Sequence, residues 1–303
     1  MNATKAREFI KTNARPIDKA MYDYYFEGGD KRVVVSELNK FQNADGGYGH
    51  GLEADFLNPN SSPIATNDAV FTLLKTDNLD DKETVAAIVS YLASHDEFDE
   101  QKKKWRFQIE SSKDYPHAIW WEKKGNGICG YNPTVSLAAF MACFAPDETK
   151  DFYKVIVKDA FDCLNSANEI NGDEIKCYLC AYLLLEKQGI SDTIDFDRAK
   201  KLLVVAMDKA VCKDVSKYGV EYVTCPSNFC LGKYSVPFTD ELVALADAEA
   251  KSMEALQKDD GGFDITWQWH LSYKEFYDAR KIWRPRVTME KLLFFRLYSK
   301  QGF

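Results

Sequence analysis

The chain has 303 residues, 46% of them apolar, and a formal net charge of −8. Its one run of lysines, 102–104, is flanked by acidic residues, so the chain lacks the basic patch that nucleic-acid binding requires. The most apolar stretch, 177–185, is about half the length of a membrane-spanning helix, and the N-terminus lacks the apolar core of a signal peptide. The sequence therefore predicts a cytoplasmic protein with no nucleic-acid partner and no membrane insertion.

Apolar residues recur at three- and four-residue spacings along most of the chain, which is typical of amphipathic helices. Asp195 and Thr239 stand where N-cap residues are expected, and Pro16 and Pro285 stand near helix starts. Residues 27–30 (Glu-Gly-Gly-Asp) predict a helix end followed directly by the next N-cap. Alternating strand patterns are scarce, so the predicted fold class is all-α. The predicted helices are 3–12, 16–26, 31–42, 66–76, 81–94, 132–144, 149–167, 172–188, 196–210, 240–256 and 286–300.

Two long segments, 96–131 and 214–238, lack helical periodicity and are rich in aromatic and turn residues. Loops of this length are uncommon in compact domains and often serve as lids or binding loops. We expect both segments to have such a role.

The eight cysteines are spread along the chain, as is typical of reduced thiols and not of a small disulfide-stabilised domain. Cys143, Cys163 and Cys212 lie in apolar helical stretches, where buried thiols are expected. Cys177 and Cys180 match the CxxC spacing but have no second pair at zinc-finger spacing. We predict that these two are core residues on one helix face.

One short motif occurs twice, far apart. Residues 42–48 are Gln-Asn-Ala-Asp-Gly-Gly-Tyr and residues 257–263 are Gln-Lys-Asp-Asp-Gly-Gly-Phe, 215 positions later (257 − 42). Each copy follows an amphipathic helical stretch, and a long-range repeat of this kind indicates a supersecondary unit used several times. About a dozen helices make six hairpins of roughly 50 residues, so the copies fall in hairpins one and five. If the hairpins close into a ring over 1–303, both Asp-Gly-Gly loops lie on one rim.

The repeated element is similar to the QW motif of the terpenoid cyclase and protein prenyltransferase superfamily, with Tyr48 and Phe263 at the tryptophan position. Lys31 and Lys251 lie upstream, about where that motif often has a basic residue. The chain also resembles the uncharacterised bacterial proteins grouped with that superfamily. The resemblance implies a single (α/α)6 toroid domain. It further implies isoprenoid substrates and acid-initiated cyclisation or transfer.

The superfamily's catalytic motifs are not found in this chain. An Asp-x-Asp-Asp acid motif is absent, and no stretch reproduces the zinc-binding motifs of the prenyltransferases. The nearest acidic run, 77–81, lies just ahead of a predicted helix, so we predict a capping role for it. No cofactor and no metal are predicted, because a single loop such as 50–55 seldom supplies a complete metal site.

The first copy of the motif continues into a loop that carries His50, Glu53 and Asp55. Acidic groups held close together acquire separated pKa values, which general acid–base catalysis requires. Asp45 and the two glycines after it are expected to form a turn. His50, Glu53 and Asp55 are therefore predicted catalytic residues.

The second copy brings a similar set of groups. Asp260, Asp264 and His270 are predicted catalytic residues, and Trp267 and Trp269 point to the same side of an extended segment. A third cluster, in the first long loop, contains His117, Trp120 and Trp121. Flat aromatic rings suit stacking on a sugar, an isoprenoid or a peptide. The residues predicted to bind substrate are Tyr48, His117, Trp120, Trp121, Trp267 and Trp269.

Three classes of function fit these observations. An isoprenoid enzyme needs a deep cavity with Phe, Tyr and Trp on the inward helix faces. A carbohydrate-active enzyme, a glycosidase or lyase on an (α/α)6 barrel, needs a wet cleft with two carboxyl groups across it. A non-catalytic module that binds a small molecule or a protein should have no carboxylate or histidine with a strongly shifted pKa. The expected ligand is thus an isoprenoid or a glycan.

Overall fold

A computed structural model describes residues 1–166 and 170–298. These residues form eleven α-helices and one two-stranded antiparallel sheet, β1 (Phe98–Asp99) and β2 (Lys104–Trp105), so the all-α prediction is confirmed. The helices are α1 (Ala3–Asn13), α2 (Pro16–Tyr22), α3 (Lys31–Leu38), α4 (Pro63–Lys75), α5 (Lys82–Ala93), α6 (Thr134–Phe144), α7 (Asp147–Ser166), α8 (Gly172–Gln188), α9 (Phe196–Ala210), α10 (Asp240–Leu256) and α11 (Phe276–Tyr298).

The predicted helix ends agree with the structure at most positions. Asp195 and Thr239 cap α9 and α10, and Gly28 and Asp30 take the predicted end and start positions around 27–30. Asp81, in the acidic run 77–81, caps α5 with its side chain on the Thr84 N–H. A π-helical turn, Asp23–Glu27, extends α2. Position 167 of the predicted helix 149–167 lies outside the described residues.

The predicted start of the last helix at 286 is wrong, because α11 begins at Phe276 and contains Pro285 in its interior. Proline inside a helix removes a single backbone hydrogen bond, and packing of the flanking turns can offset that loss. The added N-terminal turns are packed, since the ring of Phe276 meets that of Trp269 edge to face at 6.1 Å. Positions 299 and 300 of the predicted helix lie outside the described residues.

Helices α4, α6 and α8 form the centre of the molecule and pack against one another. Every residue of α6 from Thr134 to Ala142 is buried, and α8 is buried from Cys177 to Leu185. Each of these helices is followed in the chain by a more amphipathic one, α5, α7 or α9, which keeps an exposed face. The centre is therefore a layer of buried helices flanked by half-exposed ones. None of the helices in the described ranges is long and apolar enough to cross a membrane.

The first and last helices are neighbours. Helix α1 packs along α11, and α11 also contacts α2 and α10. Ala6 and Ile10 of α1 share a buried apolar cluster with Met289 and Leu292 of α11. The two ends of the described chain are therefore held together.

The first copy of the repeated motif is a hydrogen-bonded turn. The side-chain amide of Gln42 donates to the carbonyl of Gly46, and the Asp45 carboxylate accepts from the Gly47 N–H at 2.9 Å. The Tyr48 N–H then donates to the Thr66 hydroxyl on α4 at 3.1 Å. The turn predicted at Asp45 and the two glycines is thus present, and it ties the loop to α4.

The second copy repeats these contacts one by one. Gln257 donates to the carbonyl of Gly261, and Asp260 accepts from the Gly262 N–H at 3.0 Å. The Phe263 N–H donates to the hydroxyl of a threonine on α11, at 2.9 Å, as Tyr48 does to α4. The two copies are therefore equivalent in three dimensions, with α11 in the place of α4.

The glycines of the two copies also have equivalent neighbours. Gly46 has a φ of +92°, and a Cβ there would lie 2.0 Å from the carbonyl oxygen of Ala87 on α5. Gly261 has a φ of +89°, and a Cβ there would lie 2.3 Å from the carbonyl oxygen of Lys5 on α1. Both positions need glycine for conformation and for close approach. Helix α1 thus stands to α11 as α5 stands to α4.

At the end of α4 one carboxylate joins three other segments of the chain. Asp77 accepts hydrogen bonds from Tyr24 at 2.8 Å, from Lys187 at 2.9 Å and from Tyr234, and Lys233 lies 2.5 Å away. Partial burial opposes its ionisation, yet these four partners together hold its pKa below the usual range. The sequence predicted a cap here, whereas Asp77 is the centre of an ion-pair network.

All eight cysteines lie in the described ranges, and none of them forms a disulfide. Cys177 and Cys180 are buried in α8, as predicted, and burial raises the pKa of the Cys177 thiol to about 12. Cys163 is exposed, so the prediction that it is buried is wrong. It lies on the outward side of α7, because that helix is amphipathic and has only one face in the core.

Candidate functional site

The loops that follow the two motif copies meet at Asp55. Its carboxylate accepts hydrogen bonds from the indole N–H of Trp269 at 2.5 Å and of Trp267 at 2.9 Å. Asp55 is only 3% exposed, and this burial raises its pKa, while the indoles of Trp269, Trp267 and Trp283 oppose the rise. The predicted parallel orientation of Trp267 and Trp269 is therefore correct.

A residue at the start of α2 holds the loop 50–55 in place. Arg15 donates to the carbonyls of Gly51 and Leu52 at 3.1 and 3.3 Å, and its Nε lies 2.8 Å from the buried carboxylate of Asp18. Pro16 follows at the first turn of α2, where a backbone N–H would have no partner within the helix. The position of the loop is thus set by a buried ion pair.

Glu53, two residues before Asp55, has a different environment. Its Oε1 accepts the backbone N–H of Asp55 at 3.1 Å, and its side chain is half-buried. Burial raises the pKa of Glu53 well above its usual value, and the negative charges of Asp68 and Asp55 raise it further against the opposing charge of Arg286. The ionised form of Glu53 is therefore disfavoured by its surroundings.

Helix α4 presents two charged groups toward the same region. Every residue from Pro63 to Leu74 is buried except Asp68, and the next accessible position is Lys75, seven residues on and so on the same face. The Lys75 side chain is 14% exposed, and burial lowers its pKa. Charged residues that are the only accessible positions of a central helix indicate a polar space among the helices.

Helix α11 faces these groups with Arg286 and Glu290. Arg286 NH1 lies 3.7 Å from Asp68 Oδ2, and Arg286 Nε lies 3.9 Å from Glu290 Oε1. Lys75 Nζ lies 3.7 Å from the same Glu290 oxygen. All three distances are longer than a hydrogen bond. The four groups therefore form ion pairs but do not hydrogen-bond to one another.

Helix α8 contributes a further charged residue beside the charged groups of α4 and α11. Lys176 lies 2.7 Å from Asp173, and its charge interacts with that of Glu290. Tyr222, from the second long loop, donates to Asp173 at 2.9 Å, and its ring meets Trp267 edge to face at 5.9 Å. These contacts connect α8 to the Asp55 tryptophans. We call Glu53, Asp68, Lys75, Lys176, Arg286 and Glu290 the interior charged cluster.

Sequence reasoning found one member of this cluster, Glu53. A signal for two others was present, since Asp68 and Lys75 are the charged residues of an otherwise apolar helix at a spacing of seven. Arg286 lies beside Pro285, near the predicted start of the last helix, where an arginine gives no sign of an interior role. Lys176 and Glu290 gave no such signal, because charged residues at helix ends and in mixed helices are common.

Four of the six predicted substrate-binding residues are buried. Tyr48 is 0% exposed and its hydroxyl donates to Asn39 at 2.9 Å, so it is a core residue of the motif. His117, Trp121 and Trp269 are also buried, the two tryptophans in one apolar cluster. These four rings are held largely in the protein interior, although Trp269 also borders an open groove, and their substrate-binding role stays a prediction. Trp120 and Trp267 are partly accessible, and their role stays a prediction.

The two predicted acids of the second copy are held by arginines outside the interior charged cluster. Asp260 lies 2.8 Å from Arg284 and accepts the Gly262 N–H, and despite partial burial these contacts lower its pKa. Asp264 accepts from Arg280 at 2.9 Å, and this contact lowers its pKa. Both acids are thus engaged by arginines of α11, and their catalytic role stays a prediction.

The two predicted histidines are both exposed loop residues with positive φ, +54° at His50 and +56° at His270. His50 Nε2 lies 2.8 Å from the Asn43 side chain. His270 lines an open groove of about 650 Å³ together with Trp267, Tyr273 and Tyr277. The structure thus places both at the surface, His50 beside Asn43 and His270 in the groove that Trp267 also lines.

In residues 1–166 and 170–298, no group of three or more His, Cys, Asp or Glu side chains is arranged to hold a metal ion. Comparison of the chain with protein-family models, with curated proteins and with solved structures gives no match. The function must therefore be argued from the site itself.

Proposed function

We propose that this protein is an enzyme that performs acid–base chemistry on a polar substrate, and that its substrate is a glycan. The observation that carries the proposal is Glu53, a carboxyl group whose pKa is raised well above its usual value by burial and by the nearby carboxylates of Asp68 and Asp55. A pair of carboxyl groups with separated proton affinities is what glycosidic bond cleavage requires.

In this proposal Glu53 protonates the oxygen of the leaving sugar. Asp68, whose Oδ2 lies 3.7 Å from Arg286, then serves as the second carboxylate, which activates water or attacks the anomeric carbon. Trp267 offers a partly accessible ring above the site for stacking on the sugar. Asp55 is a positioning residue, because both of its oxygens are already bonded to tryptophans.

The charged interior favours this substrate class over an isoprenoid. The inward positions of α4 and α11 are occupied by Asp68, Lys75, Arg286 and Glu290, whereas an isoprenoid cavity needs aromatic and aliphatic walls. A pure binding module is disfavoured by the strongly raised pKa of Glu53, because such shifts cluster at reactive sites.

We further propose that the helices close into an (α/α)6 toroid of the kind that the repeat resembles. Support comes from a continuous series of contacts: α4 with α6, α6 with α8, α8 with the turn Pro226–Phe229, that turn with α11, and α11 with α2. Tyr25, after α2, completes the series by donating to the carbonyl of Lys75 at the end of α4. The interior charged cluster would then lie inside the ring.

The test is the release of reducing sugar from a panel of aryl glycosides and polysaccharides by the wild-type protein and by Glu53→Gln and Asp68→Asn. We expect turnover by the wild type to fall as pH rises through the raised pKa of Glu53, and each variant to lose about 100-fold or more of it. Asp278→Asn, which removes an exposed carboxylate paired with Lys281 at 2.8 Å, is the matched control and should keep at least half of the wild-type rate. No product from any member of the panel, or equal rates in wild type and Glu53→Gln, would overturn the proposal.

A further inference from the structure

The groups that face one another between α4 and α11 have hydrogen-bonding capacity that their neighbours do not use. Arg286 is 8% exposed, and its Nε has no hydrogen-bond partner among the described residues. Asp68 Oδ2 is likewise buried and makes no hydrogen bond within the described ranges. Buried guanidinium nitrogens and carboxylate oxygens normally have hydrogen-bond partners. Arg286 and Asp68 can therefore each form a further hydrogen bond, with a polar group of a ligand.

The charges in this region cancel. Arg286 and Lys75 supply two positive charges, and Asp68 and Glu290 supply two negative ones. The oppositely charged groups are 3.7 to 3.9 Å apart in the order Asp68, Arg286, Glu290, Lys75. On the side of α8, Lys176 is matched by Asp173 at 2.7 Å. Glu290 is 48% exposed, but Arg286 and Lys75 are 8% and 14% exposed, so a net charge on the ligand would be left unbalanced beside groups that are largely withdrawn from water, which is costly.

We infer that Asp68, Lys75, Arg286 and Glu290 form a recognition site for the adjacent hydroxyl groups of an uncharged sugar ring. A hydroxyl both donates and accepts, so one that enters between a carboxylate and a cation 3.7 Å apart hydrogen-bonds to both at once. A carboxylate or phosphate on the ligand would be repelled by Asp68 and Glu290, and an alkyl chain would leave all four groups unpaired. The inference rests on the proposed function and adds the substrate's charge and the residues that select it.

Binding can be measured without turnover, by saturation-transfer NMR and calorimetry on the whole chain. The probes are glucose, galactose and mannose, the matched uronic acids glucuronate and galacturonate, and geranyl diphosphate. We expect at least one neutral hexose to bind about 10-fold or more tightly than its uronic acid, and geranyl diphosphate not to compete with it.

The variants are Glu290→Gln and Asp68→Asn, which keep side-chain size. Each should weaken hexose binding by about 10-fold, because one charged hydrogen-bond partner is replaced by a neutral one. Asp278→Asn is the matched control: it removes an exposed carboxylate from the same helix, paired with Lys281 at 2.8 Å, and should leave binding unchanged. Thermal unfolding of each variant separates a loss of binding from a loss of folding.

Three results would overturn the inference: tighter binding of the uronic acids, competition by geranyl diphosphate, or hexose binding that Glu290→Gln and Asp68→Asn leave unchanged. Failure of the proposed function is distinguishable. Glu53→Gln should keep hexose binding while losing turnover, so hexose binding with turnover that does not depend on Glu53 would remove the mechanism and keep the recognition site. If no hexose binds but turnover requires Glu53, the recognition site is refuted and the mechanism is kept.

Discussion

Glu53 and Asp55 show how two carboxyl groups two residues apart acquire different roles. Both are desolvated, but Asp55 receives two indole hydrogen bonds that favour its ionised form, while Glu53 receives one backbone hydrogen bond and faces the charges of Asp68 and Asp55. The sequence predicted that acids in this loop would separate in pKa. It did not predict that the pKa of Glu53 would be raised by a charge from α4, because Asp68 and Arg286 are brought in from other helices.

Asp77 provides a residue-scale prediction about stability. Its pKa is lowered in the folded state, so its stabilising effect is present above the usual aspartate pKa of about 3.9 and is lost as pH falls toward the folded value. We expect Asp77→Asn to lower the free energy of unfolding at pH 7 by about 2 kcal/mol, as for hydrogen bonds to a charged group. Urea unfolding at several pH values measures this difference, which should shrink below about pH 4.

Asp80→Asn is the control for that experiment. Asp80 is paired with Lys31 at 2.7 Å, but its side chain is 71% exposed, so its loss should cost less than about 1 kcal/mol. Equal effects of the two substitutions, or a pH-independent effect of Asp77→Asn, would contradict the assignment of Asp77 as the centre of the network.

At the scale of elements, the sequence predicts the repeated turn but not the start of the last helix. The turn at 42–48 depends on local hydrogen bonds, which residue type and spacing specify, and its copy at 257–263 forms the same bonds. The start of α11 depends on packing of Phe276 against Trp269, a contact that the pattern around Pro285 does not reveal. The turns held by local hydrogen bonds were therefore predicted correctly. The continuation of α11 through Pro285, which depends on tertiary packing, was not predicted.

The equivalence of the two loops predicts matched effects of glycine replacement. Gly46→Ala and Gly261→Ala each place a Cβ 2.0 to 2.3 Å from a helix carbonyl oxygen, at positive φ. We expect each to lower the free energy of unfolding by about 3 kcal/mol, since positive φ alone costs about 1–2 kcal/mol and the neighbouring helix must also shift. Chemical denaturation of the purified variants provides the values.

Gly189→Ala separates the two contributions. Its φ is +67°, yet a Cβ there has no atom within 4 Å, so only the conformational cost of about 1–2 kcal/mol applies. A loss at Gly46 or Gly261 no larger than that at Gly189 would show that close contact with α5 and α1 is not required.

At the scale of the whole molecule, the sequence indicated where two distant segments meet but not what lies between them. The repeat predicted that the loops after its two copies share one region, and the bonds from Trp267 and Trp269 to Asp55 are consistent with this. The interior charged cluster joins α4, α8 and α11, and its members are scattered over more than two hundred positions. No local pattern marks residues that are brought together only by the packing of three helices.

The most direct test of the account is the pKa of Glu53 itself. Carbon-13 NMR of the side-chain carboxyl, assigned by comparison with Glu53→Gln, follows its ionisation between pH 3 and pH 9 in the whole chain. We predict an apparent pKa well above the usual glutamate value of about 4.3, because burial and the charges of Asp68 and Asp55 disfavour the ionised form. Asp68→Asn should bring it down. An apparent pKa at or below the usual value would contradict the proton-donor role and, with it, the proposed function.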